Sequence, residues 1–188
     1  MSDFVNKSVR ISDLRPEDAE TIFSLCPGCV YWELPDEFSS TLPSEEARNL
    51  KRVWLDTHCG EHNLGKVFYL KFEAAGFVQY GPTRLYPQSL RYQAGPVSAD
   101  AMLITCLYVV PANRGRGLAR DLLRHAEAAG RQYGYAAVET FARRDNSNNP
   151  SGPLGLYLAN GYEVLRDERE FPLVRKSLSQ AVDKPGLA

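Results

Sequence analysis

The chain has 188 residues, 44% of them hydrophobic, enough for one well-buried core, so a single domain over residues 1–178 is expected with 179–188 as a frayed tail. Its 22 basic and 23 acidic residues nearly cancel, so no global field draws it to nucleic acid or to an anionic membrane, and any anion site must be local. No apolar run is long enough to span a bilayer, and Met1-Ser2-Asp3-Phe4-Val5-Asn6 lacks the order of a signal peptide, so a cytoplasmic chain with its four cysteines mostly reduced is expected.

Residues 8–11 have room for a short first strand, and Arg15-Pro16-Glu17-Asp18 begins a helix with proline early and acids where the dipole favours them. Ala19, Ile22, Phe23 and Leu25 form its buried face, and Cys26-Pro27-Gly28-Cys29 stops it. Val30-Tyr31-Trp32-Glu33-Leu34-Pro35 is aromatic but broken by proline, which makes it a loop. Pro43-Ser44-Glu45-Glu46 opens a second helix whose Ala47, Leu50, Trp54 and His58 share one face, leaving Arg48, Lys51 and Arg52 to solvent. Cys59-Gly60 ends it. Residues 67–72 and 77–80 are strand-like runs joined by Glu73-Ala74-Ala75-Gly76, an antiparallel hairpin. From 81 to 100 the chain has no clear period, with Tyr86 and Tyr92 set among Pro82, Pro87 and Pro96; so long a loop in a compact domain is expected to be a substrate-side flap.

Residues 101–110 form a buried strand, rich in Met102, Leu103, Ile104, Leu107, Val109 and Val110 and closed by Pro111. Beyond Arg114-Gly115-Arg116-Gly117, residues Leu118, Leu122, Leu123, Ala126 and Ala129 recur at helical spacing, with Arg120, Asp121, Arg124 and Glu127 on the other side. The segment is therefore strand, glycine turn, helix. Unpaired N–H groups and the positive dipole end of the helix, reached over two glycines, suit a pyrophosphate; a plain tight connection would use the same residues. Residues 136–141 form the next strand, parallel to the first because a helix crosses between them. Asn148, Asn149 or Ser151 caps a short helix over 154–159, Gly161 ends it, and residues 162–165 and 170–178 make a closing hairpin.

Arg114-Gly115-Arg116-Gly117-Leu118-Ala119 resembles the Arg/Gln-x-x-Gly-x-Gly/Ala signature of the GNAT superfamily of N-acetyltransferases. Leu156-Tyr157-Leu158-Ala159-Asn160-Gly161-Tyr162 resembles the Phe-Tyr-x-x-x-Gly-Phe pattern that closes many of its members. The resemblance implies an α/β fold, a mixed central β-sheet of the GNAT type flanked by helices, splayed open beside the strand before the glycine loop. It implies acetyl-CoA as acyl donor, its pyrophosphate held by the amides of Arg114, Gly115, Arg116, Gly117, Leu118 and Ala119. Pantetheine would pair with the main chain of Leu107, Tyr108 and Val109 like an added strand, and Asn148 joins the cofactor-binding set. Tyr157 would lie near the sulfur and protonate the leaving thiolate, as a phenol of ordinary pKa about 10 suits; a tyrosine that merely packs the last helix is the alternative.

Direct attack needs a neutral amine, and many relatives supply a glutamate on the strand before the loop. Here Thr105 and Cys106 stand there instead, so Glu33, Asp100, Glu139 or a chain of waters remains as base. Glu33 leads because Tyr31 and Trp32 beside it could line an amine pocket through cation–π contact. Trp32 as plain core fits equally. Cys26-x-x-Cys29 with His58, Cys59 and His62 has spacings a structural zinc could use, but one such pair is weak, and helix-end thiols explain it, so no metal is expected. Cys106 reads as a small core residue. The expected reaction is direct acetyl transfer to a primary amine of a small molecule or peptide, with neither nucleic acid nor membrane as partner. Homodimerisation follows from the resemblance alone, and a non-catalytic acyl-CoA-binding or regulatory module is the rival reading.

Overall fold

The computed structural model describes residues 9–20, 30–38, 44–145 and 149–178. Within them seven strands form one sheet: β1 (Val9–Asp13), β2 (Gly65–Leu70), β3 (Glu73–Gly81), β4 (Ala101–Val109), β5 (Ala137–Phe141), β6 (Glu163–Arg166) and β7 (Leu173–Ser177), ordered β1-β2-β3-β4-β5-β7-β6. Only β4 and β5 are parallel, joined by the crossover helix α2 (Leu118–Gln132); every other pairing is antiparallel. Helix α1 (Ser44–His58) lies on one face of the sheet with the 30–38 loop, and α2 covers the other beside the short α3 (Leu154–Ala159). The mixed sheet between helical layers is the architecture expected. Most of the predicted first helix and both thiols of Cys26-x-x-Cys29 lie outside the described residues.

Four local expectations are corrected. The β2–β3 turn is two residues, Lys71-Phe72, rather than 73–76; Lys71 takes φ 60° and Phe72 is exposed at the tip, so strand β3 begins earlier than its apolar run. The 81–100 segment is no loose flap. Two 3-10 turns carry it, Tyr86, Ala94 and Val97 are buried in the core, and the Tyr86 hydroxyl donates to the Tyr80 carbonyl at 2.9 Å. Glu127 faces inward and accepts from Lys176 of β7 at 2.8 Å, not solvent. The residue before α3 is Pro153, without a side-chain cap, while the Asn149 carboxamide oxygen accepts from the Ser151 amide; Asn148 lies outside the described residues.

The largest correction is Lys51. Ala47, Lys51, Trp54, Leu55 and His58 follow the i, i+4, i+7, i+8, i+11 stripe, so Lys51 belongs to the packed face and not to the solvent face. It is fully buried, paired with Glu33, and donates to the Gln79 carboxamide, which itself donates to Glu33. One ion pair thus ties α1 and the aromatic loop to β3. The Lys51 ammonium also sits over the Trp54 ring, 5.3 Å from its centroid, a cation–π contact within the same helix face.

Candidate functional site

The site begins with a defect in β4. The ladder to β3 pairs Gln79 with Cys106 but Tyr80 with Ile104, leaving Thr105 as an extra residue, a β-bulge. A regular strand would send Ile104 and Cys106 to one face. Instead Ile104 packs in the α2 layer and Cys106 in the α1 layer. Pairing of β4 with β5 stops two residues earlier, at Leu103 with Glu139, so from the bulge onward the strands part. The sheet is open there.

Antiparallel alternation turns Cys106 and Tyr108 toward β3 and Leu107 and Val109 toward the opening. The Leu107 N–H already donates to the Pro150 carbonyl at 2.7 Å, and the Val109 carbonyl accepts from Arg114 Nε at 3.0 Å. The Leu107 carbonyl and the Val109 N–H are the groups that remain facing the gap. Below them Gly117 precedes α2 with φ 84° and no side-chain cap, leaving the first-turn amides of α2 pointing at the loop. A Cβ at Gly117 would find room, since its nearest neighbour is an Arg120 guanidinium nitrogen at 3.5 Å. The obstacle to any other residue is the left-handed backbone. Gly117→Ala is expected to cost about 1–2 kcal/mol of stability, read as a lowered denaturant midpoint.

Residues 150–152 cross the mouth of the opening, and two tyrosines meet there from opposite faces. Tyr157 of α3, fully buried in the α2 layer, donates its hydroxyl proton to the Ser151 carbonyl at 2.7 Å. Burial pushes its phenol well above the ordinary value, so it stays protonated. From the α1 side, the Tyr92 hydroxyl reaches both the Ser151 side chain and the Tyr31 hydroxyl, 3.3 Å away, and burial raises this phenol as well. Tyr92 is locked in place by rings: it stacks on Phe141 of β5 at 4.3 Å and on Trp32 at 5.2 Å, with Phe171 edge-on at 5.2 Å. A cavity of about 330 Å³ opens on these phenols, lined by Tyr31, Gln88, Arg91, Tyr92, Gln93, Glu168, Glu170 and Phe171.

The three carboxylates expected as base are all engaged. Glu33 is buried against Lys51 and Gln79, as described above. Glu139 is fully buried, accepting from Arg175 at 2.7 Å and from the Ser98 amide at 2.9 Å; Arg175 also binds Asp100 at 2.8 Å, holding that carboxyl below its usual range. Of the zinc candidates, the Cys59 thiol donates to the Leu14 carbonyl, His58 packs edge-on to Trp54, and His62 bonds Arg84. Among the described residues no group of three or more His, Cys, Asp or Glu is arranged to hold a metal ion. Nor is any described helix long and apolar enough to cross a membrane.

Lys51, Tyr92, Gln88 and Glu168 were not singled out by their sequence context as site residues. Lys51 carried a signal in its place on the apolar stripe of α1, and Tyr92 in its place in the segment expected on the substrate side.

This mixed sheet, split beside a bulged strand that feeds a glycine loop and helix, defines an acetyltransferase fold. The family model described as Acetyltransferase (GNAT) domain matches residues 65–164, more than half the chain, and the protein belongs to that family. Solved structures share the fold at low identity. The PaiA N-acetyltransferase from Thermoplasma acidophilum in complex with coenzyme A is 17% identical, with 90% of this chain and 99% of that one covered at a TM-score of 0.61. The ribosomal-protein-S18-alanine N-acetyltransferase from Escherichia coli is 17% identical, with 96% and 100% covered and a TM-score of 0.56. A GNAT family N-acetyltransferase from Escherichia coli in complex with CoA is 21% identical, with 95% and 86% covered and a TM-score of 0.58. No curated protein matches the chain.

Proposed function

We propose that the protein transfers the acetyl group of acetyl-CoA directly to a primary amine of a small molecule or peptide. The observation that carries this reading is the opening at Thr105, with donor-side groups on one face of the sheet and an aromatic cavity on the other. In it, the first-turn amides of α2, with Arg114 and Arg116, bind the pyrophosphate. Pantetheine pairs with the Leu107 carbonyl and the Val109 N–H. The thioester then lies at the mouth of the opening, below Ser151. Two of the relatives were crystallised with coenzyme A, which supports an acyl-CoA donor.

The acceptor enters from the Tyr31 and Tyr92 side as a neutral amine. Its nitrogen attacks the carbonyl carbon, the C–S bond breaks, and the thiolate takes the proton of Tyr157, whose O–H turns to it from the Ser151 carbonyl. The amine's proton leaves through water, because Glu33, Asp100 and Glu139 are held by Lys51 and Arg175, and water returns a proton to the Tyr157 phenolate to close the cycle. Glu33 serves this site by positioning Tyr31 and Trp32, its chain neighbours, and not as the base.

That engagement of every expected carboxylate also favours a second reading, an acyl-CoA-binding module without turnover. Thiol release from acetyl-CoA, measured against pooled primary amines and repeated with longer acyl donors, separates the two. Amine-dependent release supports the transferase. Binding of CoA with no release across the panel supports the module.

Gly117→Ala adds a donor-side check. It should weaken acetyl-CoA binding in calorimetry about tenfold or more, because the loop amides lose their approach to phosphate. Unchanged affinity would remove the loop as the donor's anchor.

A further inference from the structure

Thr140 sits where the sheet divides. It is the first residue of β5 beyond the last pair with β4, Leu103 with Glu139, and on its other side it pairs with Val174 of β7. Strand alternation sends Ala137 and Phe141 to the α1 layer and Val138 and Ala142 to the α2 layer, so Thr140 faces the layer that holds Tyr157. Its side chain is buried, and among the described residues its hydroxyl makes no hydrogen bond. A buried hydroxyl without a partner is a standing cost to the fold, and valine would fill the same space without it.

The surroundings of the Tyr157 oxygen give that hydroxyl a use. At rest the phenol proton is committed to the Ser151 carbonyl at 2.7 Å. Gly152 packs on another flank, where a Cβ would lie 3.0 Å from the phenol oxygen. Burial raises the phenol, the Thr140 hydroxyl works against that rise, and the Cys106 thiol adds to it. Thr140 therefore stands near the phenol oxygen while remaining unbonded in the resting arrangement. Such a donor gains its partner only as negative charge develops on that oxygen, which is the condition for an interaction to speed a reaction.

We propose that Thr140 is a positioning residue for Tyr157: its hydroxyl turns to the phenol oxygen as the proton leaves for the thiolate, and holds the phenolate until water reprotonates it. This rests on the acetyl-transfer reading, in which Tyr157 is the acid. It goes beyond that reading in saying how so deeply buried a phenol releases its proton. The sulfur keeps the electron pair of the C–S bond and takes the Tyr157 proton. The charge passes to the phenol oxygen, and Thr140 keeps its own proton throughout.

The test is thiol release from acetyl-CoA by the full chain, with the pool of primary amines held fixed and acetyl-CoA varied. Thr140→Val should lower kcat about 10- to 100-fold, as loss of a hydrogen bond to a charged group does, with KM for acetyl-CoA unchanged and no fall in melting temperature. Thr140→Ser should keep most of the parent rate. In a Tyr157→Phe background Thr140→Val should change nothing further, because the two residues act as a unit. A parent-like kcat in Thr140→Val, a loss of rate that comes with a lowered melting temperature, a serine variant as slow as the valine one, or equal losses in both backgrounds overturns the proposal and leaves Tyr157 as acid. A parent without amine-dependent release overturns the transferase reading, and an unchanged kcat in Tyr157→Phe overturns the acid; either takes the proposal with it.

Discussion

Lys51→Met is expected to lower the unfolding free energy by about 3–5 kcal/mol, because it leaves the Glu33 carboxylate buried without its cation. For a chain of this size that is a drop in melting temperature on the order of 10 °C. Adding Glu33→Gln should recover most of the loss. A neutral carboxamide at 33 can still bond Gln79, and no charge is then left in the core. Removing one member of the pair is therefore far worse than removing the charge of both. Chemical denaturation of the single and double variants measures this directly. A single variant within about 0.5 kcal/mol of the parent, the usual range of a surface substitution, would show that the pair is solvated and not a tie between α1, the aromatic loop and β3.

Tyr157→Phe should act on rate. The ring keeps its packing in the α2 layer, and the loss of one buried hydrogen bond to Ser151 costs about 1–3 kcal/mol of stability. Turnover at saturating donor and acceptor should fall by about 10²–10⁴, the usual worth of a positioned proton donor. The affinity for acetyl-CoA should hardly move, since the pantetheine and phosphate contacts proposed above involve β4 and α2 and not Tyr157. A loss of kcat without a rise in KM separates an acid from a packing residue. Unchanged kcat would remove Tyr157 from that role and turn attention to Tyr92, the other phenol at Ser151.

Much of the frame was legible in the chain. The strand, loop and helix from 101 to 132 stand where apolar spacing put them, and the parallel strand after them follows from the crossover. What escaped was tertiary. Thr105 looks like any strand residue; only the register with β3 shows that it is extra and that the sheet opens there. Lys51 escaped through the habit of sending lysine to solvent, although its place between Ala47 and Trp54 put it on the packed stripe. The 81–100 segment has no period because 3-10 turns and single buried anchors hold it. Glu33 was found by its aromatic neighbours, but its partners sit 18 and 46 residues away, on elements that no local pattern connects to it.

The most direct measurement is the mass of every component after incubation with acetyl-CoA and a pool of primary amines. One or more amines should gain a single acetyl group while the protein's own mass stays unchanged, as attack on a thioester lying in the opening requires. Acetyl retained on the protein, or donor consumed with no acetylated amine, would contradict it.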